Sequence, residues 1–474
     1  MNQNARTGGC GYYRAGNTAT LRLLTLFVGT SISTAAGAAQ LSEFGQNQLQ
    51  TATGAAVQTA CGKMIPIQEQ LDPTQRELFF RCGELVQTGN DLTPGDPGGT
   101  GNSLQIDADE LAEALQNVAP EEAEAVAAGM TDTQQDQLAG IADRLQYLRT
   151  GTSTLPVAGL HWSGEDLMGG AAGADGFSRL GGFVTGVYGT GDRDEVDRRN
   201  GVENAYDFDA WGLTLGIDYR FTDSLILGAA FGYIDSEVEF DRNYGENNTE
   251  GMNFAAYGSW FSGNLFIEGT LGYGDYEYDM RRDVFYLNNN PGNPSMGEDI
   301  DQSLTSKTDG ENWNWSLGVG YNWYTDSSNW TLIGKLIGID AEVDGYSERG
   351  GELAMQLDDQ DFESLQSIIS GQFAHNISMD FGVMVPFVNV AWHHEFEDDT
   401  RSINARYVFD INNSDPENTL TFQTTGLDED FFRLGLGVNF VLTGGNQWFI
   451  NYDTLLGLRE VTSHALTVGL RMEF

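Results

Sequence analysis

Residues 463–474, "SHALTVGLRMEF", set Leu466, Val468, Leu470, Met472 and Phe474 at alternate positions, with Thr467, Gly469, Arg471 and Glu473 between them. Successive side chains of a strand point to opposite faces, so this spacing predicts a strand with one apolar and one polar face. The device recurs upstream. In 210–221, "AWGLTLGIDYRF", Trp211, Leu213, Leu215, Ile217, Tyr219 and Phe221 share one face, and Gly212, Thr214, Gly216, Asp218 and Arg220 the other. The stretches 313–323, "WNWSLGVGYNW", and 432–442, "FRLGLGVNFVL", repeat it with Asn314, Ser316 and Asn322, and with Arg433 and Asn439, on the polar side.

Aromatic residues gather toward the ends of these apolar faces and aliphatic ones fill the middle. A band facing lipid tails, bounded by aromatic girdles, has that distribution. The polar face, including Asp218, Arg220, Arg433 and Asp453, would then line a lumen. A soluble sandwich or barrel is the alternative that the period alone leaves open.

Carried along the chain, the pattern predicts twelve strands, near 180–189, 207–221, 225–240, 251–261, 265–280, 311–324, 330–343, 365–377, 382–396, 430–442, 447–459 and 463–474. Tight turns ("TDS", "SGN", "TDSSN", "SMD", "TGG") alternate with long acidic connections such as 190–206, 281–310 and 397–429. Short turns on one rim and long loops on the other are the habit of an outer-membrane barrel. Hydrocarbon offers an open strand edge no hydrogen-bond partner, so the last strand must pair with the first.

Composition narrows the partners. With 24 Lys+Arg against 69 Asp+Glu, the net charge is −45, which argues against nucleic acid and anionic membrane surfaces. The 60 glycines and 11 % aromatic residues suit many closely packed strands.

The N-terminal part reads differently. Arg6 and Arg14, the apolar run 23–32 and the small-residue stretch "STAAGAAQ" predict a signal peptide over 1–38, cleaved after Ala38 or Ala39. Residues 39–151 form a small helical region, interrupted at Pro120 and by "PGDPGG". An exported chain with two remaining cysteines predicts one disulfide, Cys61 to Cys82. In 131–151, Leu138, Ile141, Leu145 and Leu148 make one helical stripe ahead of Gly151. Such a helix would be ~27 Å long, enough to thread a barrel. The Gly-rich linker within 152–176 could instead enter the lumen, and both remain open at this point. The barrel proper would occupy 177–474.

From about Asp175 onward the chain resembles the autotransporter β-barrel domain of type V secretion. The likeness rests on "GLTLGIDYRFTDSLILGAAFGY", "VNVAWHHEFEDDTRSINARYVF", "FFRLGLGVNF" and the closing "SHALTVGLRMEF". The resemblance implies a monomeric twelve-stranded barrel in the outer membrane and an N-terminal passenger brought to the cell surface. It also implies partners in periplasmic chaperones and the barrel assembly machinery, which would read Leu466, Val468, Leu470, Met472 and Phe474 as its signal. The passenger departs from larger members: it is short and holds no solenoid repeat.

No residue set points to catalysis, a cofactor or a metal. G-x-S-x-G is missing, and "GTSTLP" lacks the flanking elements of a nucleophile elbow. "HHEFEDD" gathers His393, His394, Glu395, Glu397, Asp398 and Asp399, but on a strand His393 and Glu395 face away from His394. The acidic loops lack calcium-loop spacing. A hydrolase barrel with a loop-borne site, and a plain pore with a periplasmic N-terminal region, are the alternatives to an autotransporter-like barrel.

Overall fold

The computed structural model describes residues 40–93, 101–123, 141, 145 and 179–473, apart from 195, 199–200, 204, 242–244, 294, 398–399, 425–427, 443–445 and 459–460. The expected signal peptide, the 152–176 linker and Phe474 lie outside the described residues.

Twelve antiparallel strands close on themselves. They are β1 (Leu180–Arg193), β2 (Tyr206–Thr222), β3 (Leu225–Phe240), β4 (Gly245–Ser262), β5 (Leu265–Tyr286), β6 (Ile300–Tyr324), β7 (Ser328–Val343), β8 (Gln360–His375), β9 (Gly382–Glu395), β10 (Asp430–Leu442), β11 (Gln447–Leu456) and β12 (Val461–Glu473). Each pairs with its sequence neighbour, and β1 pairs with β12 from Gly181↔Glu473 to Arg193↔Val461. Every central backbone group is thereby satisfied without a free edge, as hydrocarbon demands.

The alternation read from the sequence becomes two faces. Ile217 is 62 % exposed on the outside while Asp218 beside it is 5 % exposed. Trp211, Leu213, Leu215, Trp313, Leu317, Phe432, Leu436, Leu466, Val468 and Met472 all lie exposed on the outer face. From Trp211 to Tyr219 or Trp313 to Tyr321 is eight residues, ~26 Å along the strand and ~20 Å along the axis at a ~40° tilt. That is the order of the ~25 Å apolar band of such barrels.

Several strands run past their expected ends, β4 starting at Gly245 and β8 at Gln360 where 251 and 365 are expected, and the β5–β6 pair lengthens most. β5 continues to Tyr286 and β6 starts at Ile300, with Tyr286↔Ile300 as their last pair, so most of the expected 281–310 loop is a strand extension. The cause is an inversion of polarity. Below Tyr273 the outer face carries Leu265, Ile267 and Leu271; above it the outer face carries exposed Asp275, Glu277 and Asp279, while Tyr276, Tyr278, Met280, Val284 and Tyr286 turn inward and are buried. β2, β3, β6 and β7 change at the same level, with Asp209, Asp235, Glu311 and Asp340 outside. Phenols mark the boundary: Tyr188 donates to Asp209 (2.7 Å), Tyr233 to Glu250 (3.3 Å) and Tyr273 to Glu311 (2.8 Å). A tyrosine at a lipid–water boundary buries its ring in the apolar side and turns its hydroxyl to the wet side.

The helical region sits on the loop rim. Asn47 caps α1 (Gln48–Met64), and its Oδ1 accepts from the Gln50 amide. Capping boxes Asp72/Gln75 and Asp107/Glu110 open α2 (Pro73–Leu92) and α3 (Ala108–Val118). α3 stops just before Pro120, because the residue ahead of proline is driven out of the helical basin. Cys61 on α1 and Cys82 on α2 are joined, with Cα atoms 5.9 Å apart. Beneath α1 lies a four-stranded side sheet (Tyr346–Ser347, Met355–Leu357, Ser402–Tyr407, Leu420–Gln423) built from the connections before β8 and after β9.

Candidate functional site

The candidate site is the lumen together with its loop-rim mouth. At the turn-rim end, Phe183, Ile226, Ala230, Ala255 and Tyr257 project inward. Ile141 and Leu145, both helical, pack on them and are 3 % and 1 % exposed. Of the two segments that could occupy the lumen, the structure thus puts residues of the 131–151 stripe there. Leu138 and Leu148 lie outside the described residues, as does the linker.

All four expected lumen residues are on the inner face, each in its own environment. Asp218 accepts from the Tyr257 hydroxyl at 3.2 Å. The Arg220 guanidinium lies 5.9 Å from the centre of the Phe261 ring. Asp453 accepts from Asn451 Nδ2 at 2.6 Å, and Arg433 stands opposite Ala391 and Leu455. Sequence reasoning missed a further inner pair: Lys335 reaches Glu268 at 3.3 Å, with Glu268 3 % exposed. Its signal was Glu268 at an inner position of "LFIEGTLGY", where an unpaired charge would be costly.

The histidine–carboxylate cluster is divided as the strand period requires. His393 and Glu395 face inward; His394 faces out and meets Asp430 at 3.0 Å. His393 stacks on Phe431 at 4.6 Å and contacts Gln366 at 3.2 Å. Glu395 accepts from Ser364 Oγ (2.6 Å) and from the amides of Leu365, Phe396 and Glu397 (2.8–3.1 Å). A carboxylate holding four donors is braced as a structural acceptor and has little capacity left as a base. Asp398 and Asp399 lie outside the described residues. Among the described residues no group of three or more His, Cys, Asp or Glu is placed to hold a metal.

At the mouth, charged side chains tie the helices to the barrel. Arg282 on β5 grips Glu348 through two bonds of 2.8 and 2.7 Å, and the same guanidinium donates to the carbonyls of Val118, at the end of α3, and Leu353. Arg81 on α2 bonds Glu84 (2.7 Å) and Glu352 (2.9 Å), and Glu84 also accepts from Ser295 and Asn293. Lys63 on α1 reaches Asp415 and Glu417 at 2.7 and 3.1 Å. Burial raises the Glu122 carboxyl to about 8, opposed by Arg282 and helped by Glu348; burial likewise raises Glu84, against Arg81.

A closed twelve-stranded wall, apolar outside, with chain inside its lumen, is matched by one family description: the autotransporter beta-domain, over residues 166–453. The chain belongs to that family. Its fold is similar to the translocator domain of autotransporter NalP from Neisseria meningitidis, with a TM-score of 0.50 at 15 % identity over 72 % of this chain and 98 % of that one. An uncharacterized protein of the trpE-trpG intergenic region of Pseudomonas putida is 33 % identical over 41 % of this chain and 31 % of its own length. Lipase 1 of Photorhabdus luminescens is 25 % identical over 55 % of this chain and 38 % of its own, and outer membrane protein A of Rickettsia conorii 22 % over 57 % and 13 %. The chain therefore spans between 13 and 38 % of these relatives.

Proposed function

We propose that this autotransporter β-domain protein is an outer-membrane translocator barrel that carries its own N-terminal helical region through the lumen and displays it on the cell surface. The observation that carries the reading is the path of the chain. Residues 40–93 and 101–123 lie on the loop rim, Ile141 and Leu145 pack inside the lumen near the turn rim, and β1 then begins at the turn rim, where Leu180 pairs with Tyr219. Loop rims of such barrels face the exterior and turn rims the periplasm.

In this reading residues 1–38 direct export, and the passenger is 39–151. Periplasmic chaperones and the barrel assembly machinery are the partners, with the outward residues of β12 as the machinery's signal. The barrel acts by positioning a chain, without catalysis or cofactor; the four bonds already made by Glu395 support this over a loop-borne hydrolase.

The test is a tag beside Gln40 and a second in the 411–415 connection, read on intact cells. Equal labelling of both by an impermeant antibody is expected. A Gln40 tag that is stained only after permeabilisation, while the loop tag is stained before it, overturns the display. An esterase and peptidase screen of His393→Ala and Glu395→Ala variants addresses catalysis: an activity that both remove would replace the present reading.

A further inference from the structure

We infer that residues 40–93 and 101–123 are a seated cap on the barrel's outer mouth, folded as part of the barrel's own core, and not a domain presented freely above it. The inference deepens the display role and rests on it only for the direction in which the mouth faces.

Three observations converge. The first is the inversion of polarity above Tyr273. In the lipid zone the inner face mixes polar side chains such as Asp218 and Glu268 with a local apolar patch around Phe183 and Tyr257, but the extensions turn a continuous set, Tyr276, Tyr278, Met280, Val284, Tyr286, Ile300 and Leu304, inward. An empty mouth would hold this surface against water.

Second, the filling is the helical region itself. Leu78, Leu85, Leu104, Leu111 and Leu115 form one continuous apolar cluster with Val284, Leu304, Met355, Tyr407 and Leu420. Leu78, Leu85, Leu111 and Leu115 on the helices and Leu104 on the approach to α3 are all completely buried, with α3 packed on β5 and α1 on the Leu420–Gln423 strand of the side sheet.

Third, polar contacts stitch each helix to a different part of the rim, α3 to β5 and α2 and α1 to the connections. α3 is held by Arg282 and by Asn117, whose Nδ2 donates to the Phe285 carbonyl at 2.7 Å. α2 is held by the Arg81 bridge to Glu352 and Ser295, and α1 by Lys63. Asn290 Nδ2 donates to the carbonyls of Gly101 and Ser103 on the approach to α3. Arg282 is 3 % exposed and the Glu348 side chain 5 %, so undocking the cap would strip one of the acceptors, Val118 O, from the guanidinium and open a buried ion pair to solvent. A free domain would have none of these ties.

The mouth is thus a docking surface whose partner is the chain's own N-terminal region. Display then offers the outside world the cap's upper side and the loops around it, and the mouth beneath stays shut.

The experiment uses the purified full chain in detergent, so it does not depend on which way the mouth faces in the cell. Thermolysin cleavage within 40–123 is followed by mass spectrometry, with heat-modifiable gel mobility as the control for an intact barrel. Wild-type 40–123 is expected to resist as long as the barrel does. Arg282→Met is expected to speed cleavage within 40–123 by about tenfold or more with barrel mobility unchanged, since a local opening exposes cleavage sites in proportion to its population. Lys307→Met, which removes an exposed pair with Asp279, is expected to change nothing. If Arg282→Met yields no folded barrel, Arg81→Met is read instead, because its partners all lie above the lipid zone. The inference is overturned if wild-type 40–123 is cut as fast as in urea while the barrel stays folded. It is equally overturned if every folded variant among Arg282→Met and Arg81→Met protects 40–123 as well as wild type. A cap on the periplasmic side would pass this test and fail the tagging experiment.

Discussion

Val184 on β1 stands between Leu215 on β2 and Leu470 on β12, directly paired with each, so one row of aliphatic side chains crosses the seam where the last strand meets the first. A cation in the middle of that row must sit in hydrocarbon. Leu215→Arg is expected to cost about 2–4 kcal/mol, the depth-dependent penalty for a midplane charge on the lipid face. Glu237→Arg, on the same outer side but above the Tyr233 level, should change stability by less than about 0.5 kcal/mol. Urea titration in phospholipid vesicles, followed by tryptophan fluorescence, measures both. Equal effects at the two positions would contradict the proposed depth of the barrel.

That depth also explains what could be read from the residues in advance. Between the girdles one side meets lipid and the other a polar lumen, so "GLTLGIDYRF" and "LGLGVNF" announce their faces with a constant sign. In "DYEYDMRRDVFY" the period continues but its sign flips: Asp275, Glu277 and Asp279 go outside and the tyrosines inside, and Arg282 is held inside by its pairing with Glu348. A reading that follows apolar-outward residues ends β5 near Met280 and begins β6 at Glu311, as expected above and as the structure corrects. The stripe of Ile141 and Leu145 announced an apolar helical face that must be buried somewhere, but its period could not tell the lumen from a contact within the N-terminal region. The clamps of the cap were not legible. Arg282 and Glu348 are 66 residues apart, and Arg81 and Glu352 are 271 apart; no local period connects them.

Glycine supplies a second test. Gly320 on β6 faces inward beneath the ring of Phe266 on β5, and a Cβ built there would come within 2.1 Å of the ring's Cζ. Phe266 is 1 % exposed and cannot swing into open space. Gly320→Val should therefore destabilise the barrel by about 1–3 kcal/mol, the usual penalty for overpacking. The double variant Phe266→Ala with Gly320→Val should recover part of that loss, which a double-mutant cycle in urea would reveal as coupling between the two sites. Additive effects would mean that the ring does not rest on the glycine.

Two carboxyls buried within the cap make its hold depend on pH. Glu122 is pushed up to about 8 and Glu84 is also raised, both by burial. A carboxyl whose folded pKa exceeds its unfolded value binds more protons folded than unfolded, so its stabilisation is complete below the unfolded value and declines as pH rises through the folded one. For Glu122 that window runs from about 4.5 to about 8. Cleavage within 40–123 should accordingly accelerate between pH 6 and pH 8 and level off above it, and Glu122→Gln should flatten most of the rise, since a neutral amide cannot lose the proton. A catalytically stable protease assayed at fixed activity across the range gives the measurement. An undiminished slope in Glu122→Gln would assign the pH dependence to another group.

The disulfide should matter to the cap and not to the barrel. Cys61 and Cys82 are 5 % and 1 % exposed and join α1 to α2 across 21 positions. Both helices belong to the cap, whereas the twelve-stranded wall closes through backbone pairing that the bond does not touch. Opening a loop of this size costs about 3 kcal/mol in the chain-entropy model, equivalent to roughly a hundredfold in the folded-to-open ratio. A Cys61→Ala, Cys82→Ala variant should therefore lose protection of 40–123 by about that factor while keeping its heat-modifiable mobility, and reducing the wild-type protein under mild denaturant should reproduce the effect. Loss of barrel mobility in the same variant would mean that wall and cap unfold together, and that the seated helices stabilise the β-strands as much as the strands stabilise them.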